Sequence, residues 1–396
     1  MSGGTFIGAG FVALPPVQSQ GLFGPARTTQ GGPLSWHFAK SPGIPLPTKH
    51  SDATLTGVAC PTPKFCVAAG ALYRATAAGA EEPLVEEYNG AKWSLEHLSV
   101  PGAGRASSSD QLLGLSCASV DFCMALGDLD ALTGRPLVEV YDGARWSPGT
   151  PPAMNARFTA VSCASVGFCV VVGLDYAPRQ DLISYVYRSG RWSSLPFASS
   201  PPGVNALDGV ACTAVSFCQA VGYLSSGGPN TMRFAEDYSG SHWAVNESHS
   251  LLAPHYNSSL ADVSCYKDGA CLAVGSIATE PWHGGSTPFG PFAEYLANGR
   301  WRSVLSPATA GLGHASSQGV SCTEQGCTVI GMEDGAALVL RYASGRWAAP
   351  TYGPHLPGNE TTTMGFSSLS CPTPGFCVAV GGAAGEPVIM MGVSPA

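Results

Sequence analysis

Fourteen cysteines form the most regular pattern of chemically reactive residues in this 396-residue chain. They fall into seven pairs, with five residues between the two cysteines in six pairs and four residues between Cys322 and Cys327. The other pairs are Cys60 and Cys66, Cys117 and Cys123, Cys163 and Cys169, Cys212 and Cys218, Cys265 and Cys271, and Cys371 and Cys377. Two thiols at this spacing can face each other across a tight hairpin and form a disulfide bond.

Two other interpretations of these cysteines compete with disulfide bonds. A zinc site needs about two to four residues between paired ligands and usually a second Cys or His pair nearby. The nine histidines are sparse and out of phase with the pairs, so we expect no metal, and free buried thiols are the remaining alternative. Seven disulfide bonds would each stabilise the fold by about 2 kcal/mol. They would also place the protein in an oxidising compartment, outside the cell or at its surface.

Trp282 and His283 are candidate ligand-binding residues. They lie in the longest linker of the chain, in a stretch rich in glycine and proline, and Trp282 is out of register with the other tryptophans. An exposed Trp beside a His can stack on a sugar ring or on a peptide side chain. The alternative is a loop that packs onto its own part of the fold.

Acidic residues in the linkers are a second set of candidates: Asp128, Asp130, Asp175, Asp181, Glu333 and Asp334. Paired carboxylates can act as general acid and base or can bind calcium. No motif supports either role, so we interpret the set as solvated turn residues and assign no catalytic residue. Asp128 and Asp175 are kept as candidate ligand-binding residues. Arginines in or beside similar linkers leave a sialidase-like site open: Arg74, Arg135, Arg179 and Arg233.

A serine precedes the first cysteine of most pairs, in the set Ser116, Ser162, Ser264, Ser321 and Ser370. These serines lack the Gly-x-Ser-x-Gly context of a hydrolase nucleophile. Alanine replaces the serine at Ala59 and Ala211. A small, buried strand position therefore explains them better than a reactive hydroxyl.

The elements that must position these residues repeat with a period of roughly 50 residues, which is typical of propeller blades. Each unit indicates four short strands separated by turn residues; in the first unit we place them near Leu55–Cys60, Phe65–Gly70, Pro83–Tyr88 and Lys92–His97. The seventh unit ends before its Trp, and a matching strand around Trp36 precedes the first unit. The sequence therefore predicts an all-β, seven-bladed propeller over residues 34–396, with four-stranded antiparallel blades and the last blade closed by the N-terminal strand. Residues 1–33 are expected to be a leader or flexible segment.

One Tyr and one Trp recur in the later part of six units. The tyrosines are Tyr88, Tyr141, Tyr187, Tyr238, Tyr295 and Tyr342, and the tryptophans are Trp93, Trp146, Trp192, Trp243, Trp301 and Trp347. Because they recur in the same phase, we expect them to form the core between blades rather than a set of ligand platforms.

Composition excludes some classes of partner. The net charge is −8 and no basic run occurs, so a nucleic-acid partner is not expected. We find no apolar stretch near the length that spans a bilayer. We expect a monomer with no cofactor.

The segments Val85–Trp93 and Val138–Trp146, each with a Tyr, a Gly-containing turn and a Trp, resemble the repeats of kelch-type and Asp-box-type propellers. The Val-Gly that ends the second strand of several units is similar to half of the kelch glycine doublet, and Gly381-Gly382 has the full doublet. The cysteine hairpin resembles secreted propeller repeats of actinobacteria. The resemblance implies the fold and leaves the function open, because propellers include enzymes, lectins and scaffolds.

We expect an exported binding or scaffold protein that recognises a carbohydrate, a cell-wall component or a protein through loops on one face. The alternative is a secreted hydrolase, similar to a glycosidase or lyase, with a site over the central channel. A purely structural surface protein is a third hypothesis.

Overall fold

The computed structural model describes residues 34–42, 52–74, 80–98, 100, 109–129, 134–152, 155–176, 181–197, 204–225, 231–246, 257–278, 289–304, 315–354 and 364–395. Within these ranges the chain forms 29 strands in seven antiparallel sheets, and the first strand of each sheet packs against the first strands of the two neighbouring sheets. The sheets are therefore the blades of a closed seven-bladed propeller, as predicted.

Four strands in each blade run from the inside of the ring outward. We number the blades 1 to 7 by the order of their inner strands in the chain. These strands are β2 (Asp52–Thr62), β6 (Gln111–Ser119), β10 (Ala156–Ser165), β14 (Val204–Ala214), β18 (Ser258–Lys267), β22 (Ala315–Thr323) and β27 (Met364–Thr373). The second strands are β3 (Phe65–Arg74), β7 (Phe122–Leu129), β11 (Phe168–Asp175), β15 (Phe217–Ser225), β19 (Ala270–Ala278), β23 (Gly326–Glu333) and β28 (Phe376–Ala383).

The third and fourth strands form the outer half of each blade. The third strands are β4 (Ala80–Tyr88), β8 (Arg135–Tyr141), β12 (Leu182–Arg188), β16 (Thr231–Tyr238), β20 (Phe289–Ala297), β24 (Ala336–Ala343) and β29 (Glu386–Val393). The fourth strands are β1 (Ser35–Ala39), β5 (Trp93–Glu96), β9 (Trp146–Pro148), β13 (Arg191–Ser194), β17 (Trp243–Val245), β21 (Arg300–Ser303) and β25 (Arg346–Trp347). A short strand, β26 (Thr351–Tyr352), also pairs with β24.

The second strands are buried along both faces, because every blade packs between two neighbours. This explains why their sequences are continuous apolar runs. A strand with one face in solvent would instead alternate apolar and polar residues. Apolar clusters cross each seam between blades: Leu84 and Trp93 of blade 1, for example, pack with Val380 and Ile389 of blade 7. The core of the protein is thus divided among the seams.

The N-terminal strand closes the ring. Strand β1 pairs antiparallel with β29, with Trp36 opposite Gly392 and Phe38 opposite Met390. The Trp36 ring lies on Gly392 so closely that a Cβ there would come within 2.9 Å of it. The predicted closure is confirmed, and it covers the edge that β29 would otherwise expose.

All seven predicted disulfide bonds are present, and the described residues include no free cysteine. Each bond joins an inner strand to the second strand of the same blade, with Cα atoms 4.0–4.1 Å apart. Seven intrachain disulfides are the pattern of a protein that folds in an oxidising environment.

One glycine in each second strand faces a bulge in the inner strand. A Cβ at any of these glycines would lie 1.8–2.0 Å from a backbone oxygen of that inner strand. The set is Gly70, Gly127, Gly173, Gly222, Gly275, Gly331 and Gly381. The close approach of the two backbones explains why the second-strand motif ends in glycine.

The serines before the first cysteines join neighbouring blades. Each hydroxyl accepts a hydrogen bond, 2.9–3.0 Å long, from the backbone N–H of the first cysteine in the next blade. Ser162, for example, accepts from Cys212. Their predicted place in the inner strand is confirmed, but these serines are half-buried rather than buried. The hydrogen bond to the next blade explains the hydroxyl.

The repeated Tyr and Trp residues lie in the seams between blades, as predicted. Trp93, Trp146, Trp243 and Trp301 are buried. Tyr295 also lies in a seam, against Tyr342 of the next blade, but it does not share the phase of the other tyrosines, because in blade 5 Leu296 lies opposite Trp301. Strand β20 is aligned by the pairing of Cys271 with Leu296, and this alignment places Tyr295 on the other face of the sheet.

Candidate functional site

The two ends of the ring differ. At one end lie the seven disulfide hairpins and the turns between third and fourth strands, and we call this end the disulfide face. At the other end lie the connections between second and third strands, and we call it the linker face. Strand β1 begins beside Val393, at the disulfide face. The linker face is therefore opposite the point where the chain enters the ring.

A groove of about 510 Å³ opens on the linker face between blades 7 and 1. Its volume is within the range of ligand sites, about 300–1,000 Å³. We call it the seam groove. Its lining comes from the starts of β2, β4 and β27, the ends of β3 and β28, and the turn Ala384–Gly385. The residues are Asp52, Ala53, Thr54, Ala71, Tyr73, Glu81, Gly365, Phe366, Ser367, Gly382, Ala383, Ala384 and Gly385.

The seam groove exists because side chains that fill the equivalent space in other seams are missing from blade 7. The residue after the second-strand glycine is Ala71, Asp128, Leu174, Tyr223, Ser276 or Met332 in the other blades, and Gly382 in blade 7. Its partner on the inner strand is also a glycine, Gly365, and a Cβ at Gly365 would meet no atom within 4 Å.

The connection above the groove is also short. Only Ala384 and Gly385 join β28 to β29, with φ of 49° and 81°. Positive φ at both residues is the geometry of a two-residue type I′ hairpin turn. Because the turn is so compact, it does not itself cover the groove.

One wall of the seam groove is a row of three side chains across blade 1. Asp52 on β2 lies opposite Tyr73 on β3, and Tyr73 lies opposite Glu81 on β4. Directly opposed residues on neighbouring strands have Cβ atoms about 5 Å apart and point to the same face. The Tyr73 ring, 38% exposed, is thus flanked by two carboxylates. We call this set the Tyr73 row.

A second polar cluster lies on the linker face between blades 2 and 4. Arg157, at the start of β10, places its Nε 3.4 Å from a carboxylate oxygen of Asp128, at the end of β7. Arg157 also donates a hydrogen bond to the Tyr176 hydroxyl and acts electrostatically on Asp208, in the bulge of β14. The Tyr176 ring lies against Gly134 of blade 2. We call these residues the Arg157 cluster.

Both carboxyl groups of the Arg157 cluster titrate near neutral pH. Burial raises the pKa of Asp128 to about 7, although the charge of Arg157 opposes the change. Asp208 is accessible to solvent, but the crowded inner strands desolvate it and raise its pKa to about 6, again against the effect of Arg157. Two such groups on one arginine have the chemistry of a proton donor and acceptor pair.

Four glutamates occupy the same position of the third strand in their blades. Each lies two residues before the Tyr or Leu that is opposite the repeated Trp. They are Glu86, Glu139, Glu236 and Glu294. All four are 0–2% exposed. Glu294 pairs with Arg233 at 2.6 Å, and Glu86 accepts a hydrogen bond from Ser41. Burial raises the pKa of Glu86 and Glu139 to about 7 and that of Glu236 to about 8. These groups lie within seams, away from the lining of the seam groove.

The predicted ligand-binding residues have different outcomes. Trp282 and His283 lie outside the described residues, so their role stays a prediction. Asp175 is half-buried on β11, and its charge adds to the burial that raises the pKa of Tyr185. Asp128 belongs to the Arg157 cluster. The interpretation of Asp128 and Glu333 as solvated turn residues was wrong, because both are buried within strands.

The structure does not gather the four arginines that sequence analysis named. Arg74 pairs with Glu82 at 2.8 Å, and Arg233 pairs with Glu294 in a different seam. Arg135 is exposed, and Arg179 lies outside the described residues. The arginine that acts on carboxylates of two other blades, Asp128 and Asp208, is Arg157, which sequence analysis missed. Its signal is visible when units are aligned on the second-strand glycine, because the other units have a neutral residue at its position.

Within the described ranges, no group of three or more His, Cys, Asp or Glu side chains is placed to hold a metal ion. The same part of the chain contains no helix of the length and hydropathy needed to cross a membrane.

No protein-family model matches the sequence, and no curated protein matches it. Among solved structures the chain is similar to YCF48 bound to D1 peptide, with 14% identity over 91% of this chain and 97% of that chain at a TM-score of 0.56. YCF48 from Cyanidioschyzon merolae gives 12% identity, 90% and 98% coverage and a TM-score of 0.54. The β-propeller domain of Cps50 (Swd1) from Myceliophteria thermophila gives 9%, 91% and 100%, and 0.51. Likenesses at these identities show the propeller fold alone. The resemblance to kelch-type and Asp-box repeats stays a prediction.

Proposed function

We propose that this chain is an exported binding propeller that takes a carbohydrate into the seam groove on its linker face. The seam groove is the observation that carries the proposal. It has the volume of a ligand site, a floor of glycine and alanine, and one exposed aromatic ring on its wall. An exposed ring beside carboxylates suits a sugar, whose apolar face stacks while its hydroxyls donate hydrogen bonds.

The rest of the fold supports such a role. One disulfide stabilises each of the seven blades internally, which supports a rigid frame for the groove and a place outside the cell or at its surface.

A glycan array with three matched proteins tests the proposal. Gly365→Leu should fill the groove without backbone strain, because its Cβ meets no atom within 4 Å. Ser316→Leu changes the equivalent inner-strand position of blade 6 and leaves the groove open. We expect the wild type and Ser316→Leu to bind the same glycans and Gly365→Leu to bind them at least about tenfold more weakly.

Melting curves of the three proteins establish that each is folded before the array is read. Undiminished binding by Gly365→Leu would rule out the seam groove as the site. Binding of a protein ligand with no glycan bound would replace the carbohydrate by a protein partner.

The Arg157 cluster favours a second candidate function, hydrolysis of a polysaccharide at the linker-face end of the channel. Its two carboxyl groups titrate near neutral pH around one arginine, as an acid–base pair requires. When the wild-type protein is incubated with the glycans that it binds on the array, new reducing ends should then appear. Asp208→Asn should abolish their release and keep the melting temperature of the wild type. Intact glycans after prolonged incubation with the wild type would leave binding as the function.

A further inference from the structure

The charges that line the seam groove define the kind of carbohydrate it takes. Among the described residues that line the groove, the charged side chains are Asp52 and Glu81, and this part of the lining includes no Lys, Arg or His. Both carboxylates belong to the Tyr73 row, one on each side of the aromatic ring. A ligand stacked on Tyr73 is therefore within reach of two negative charges.

Arg74, the described cation nearest to Tyr73 in sequence, does not compensate these carboxylates. Arg74 follows Tyr73 on β3, so its side chain is directed to the opposite face of the sheet. There it forms an ion pair with Glu82, at 2.8 Å. Within the described lining, the Tyr73 row therefore presents only negative charge to the groove.

We propose that the seam groove selects an amino sugar with a free, protonated amine, as in an oligosaccharide of deacetylated glucosamine. This inference rests on the proposed carbohydrate-binding function and adds the charge of the ligand. A sugar ring that covers Tyr73 places an equatorial ammonium group at its rim, near the position of the flanking carboxylates. Ammonium and carboxylate form charge-assisted hydrogen bonds, which are stronger than bonds between neutral groups.

The flat floor of the groove favours a sugar over a lysine side chain as the source of the cation. Gly365, Gly382 and Ala383 leave a broad surface beside the Tyr73 ring. A linear alkyl amine would fill little of a space of about 510 Å³. Linked pyranose rings can cover both the Tyr73 ring and the floor of the groove. A lysine-rich protein is accordingly the rival that the experiment must separate.

Calorimetric titration of the full chain with three probes tests the inference at mildly acidic pH, where the amine is protonated. The probes are a glucosamine tetrasaccharide, the same tetrasaccharide with every amine acetylated, and tetralysine. We expect the glucosamine oligomer to bind at least about tenfold more tightly than the acetylated one. The preference should shrink as salt rises from about 0.05 M to about 0.3 M, since both carboxylates border open solvent.

The double variant Asp52→Asn, Glu81→Gln is the matched control, because it keeps the shape of the Tyr73 row and removes its charge. It should bind the two tetrasaccharides within about twofold of each other. Its melting curve reports whether the fold is intact, and single variants replace it if it is not.

Each remaining outcome has a separate meaning. Equal binding of both tetrasaccharides by the wild type, or a preference for the acetylated one, would overturn the amino-sugar inference and leave carbohydrate binding in place. Tighter binding of tetralysine would assign the groove to a basic peptide. Binding of none of the probes, together with an empty glycan array, would overturn the proposed function as well.

Discussion

Replacing Glu236 with Gln should stabilise the protein at alkaline pH and leave its stability at acidic pH nearly unchanged. Glu236 lies on β16 and is 0% exposed, and its carboxylate oxygens have no hydrogen-bond partner among the described residues. Burial, reinforced by the negative charge of Asp237, raises its pKa from 4.5 to about 8. The seam therefore favours the neutral form of the side chain.

The sign of the effect follows from proton binding. Between pH 4.5 and about 8 the folded protein holds a proton on Glu236 that the unfolded chain has lost. Where the folded state binds more protons, the free energy of unfolding falls as pH rises. The gap between the two pKa values corresponds to about 5 kcal/mol, at about 1.4 kcal/mol per pKa unit. Because water and neighbouring groups relax around a buried charge, we expect about 2 kcal/mol in practice.

Guanidinium unfolding at several pH values, with the disulfides intact, measures the effect. The wild type should lose stability between about pH 5 and about pH 9, and Glu236→Gln should lose about 2 kcal/mol less over the same range. Glu236→Met is a second variant that fits the seam, since blade 7 has Met390 in the equivalent position. Parallel pH profiles for the wild type and both variants would refute the reasoning.

Glu294→Gln is the control with the opposite expected sign. Glu294 has the same place in its blade as Glu236, but its carboxylate meets the guanidinium of Arg233 at 2.6 Å, and that side chain is only 7% exposed. Breaking a buried ion pair by neutralising one partner costs about 3 kcal/mol. Glu294→Gln should therefore destabilise the protein at neutral pH, where Glu236→Gln stabilises it.

Three further predictions concern the frame. Trp146→Ala should lower the free energy of unfolding by about 4 kcal/mol, because a buried ring leaves a cavity in its seam; an unmoved denaturation midpoint would contradict its place in the core. Ser162→Ala should lower the free energy of unfolding by about 1 kcal/mol, and Ala211→Ser should raise it by a similar amount, because the serine hydroxyl accepts a hydrogen bond from an inner-strand N–H of the next blade. Shifts of the melting temperature in the same direction for both variants would count against this bond. Reduction of the disulfides should lower the melting temperature markedly, since each disulfide stabilises the folded state by about 2 kcal/mol. A melting temperature that does not change with reductant would contradict this stabilising role.

The fold could be predicted from sequence because each blade repeats the same physical constraints. Paired cysteines align an inner strand with its neighbour, and the second-strand glycine marks the bulge. The incomplete seventh unit and the strand around Trp36 together predicted the closure. The one misplaced aromatic, Tyr295, shows that strand alignment follows the cysteine and not the tyrosine.

The candidate site was harder to predict because it depends on residues of two different blades that face each other. Asp128 was assigned to a linker, but β7 continues for two residues beyond Gly127, so the carboxylate is buried against Arg157. The seam groove arises from side chains that are absent. In the sequence, the glycine doublet that ends in Gly382 indicates the missing side chain on one strand. The sheet pairing shows that Gly365 lies opposite it, so the side chain is missing on both strands.

A crystal structure of the full chain with a bound glucosamine oligosaccharide tests the central claim most directly. We predict a sugar ring stacked on Tyr73 between blades 7 and 1, with its amine within hydrogen-bond distance of Asp52 or Glu81. Density for the sugar at Arg157, with an empty seam groove, would contradict the claim.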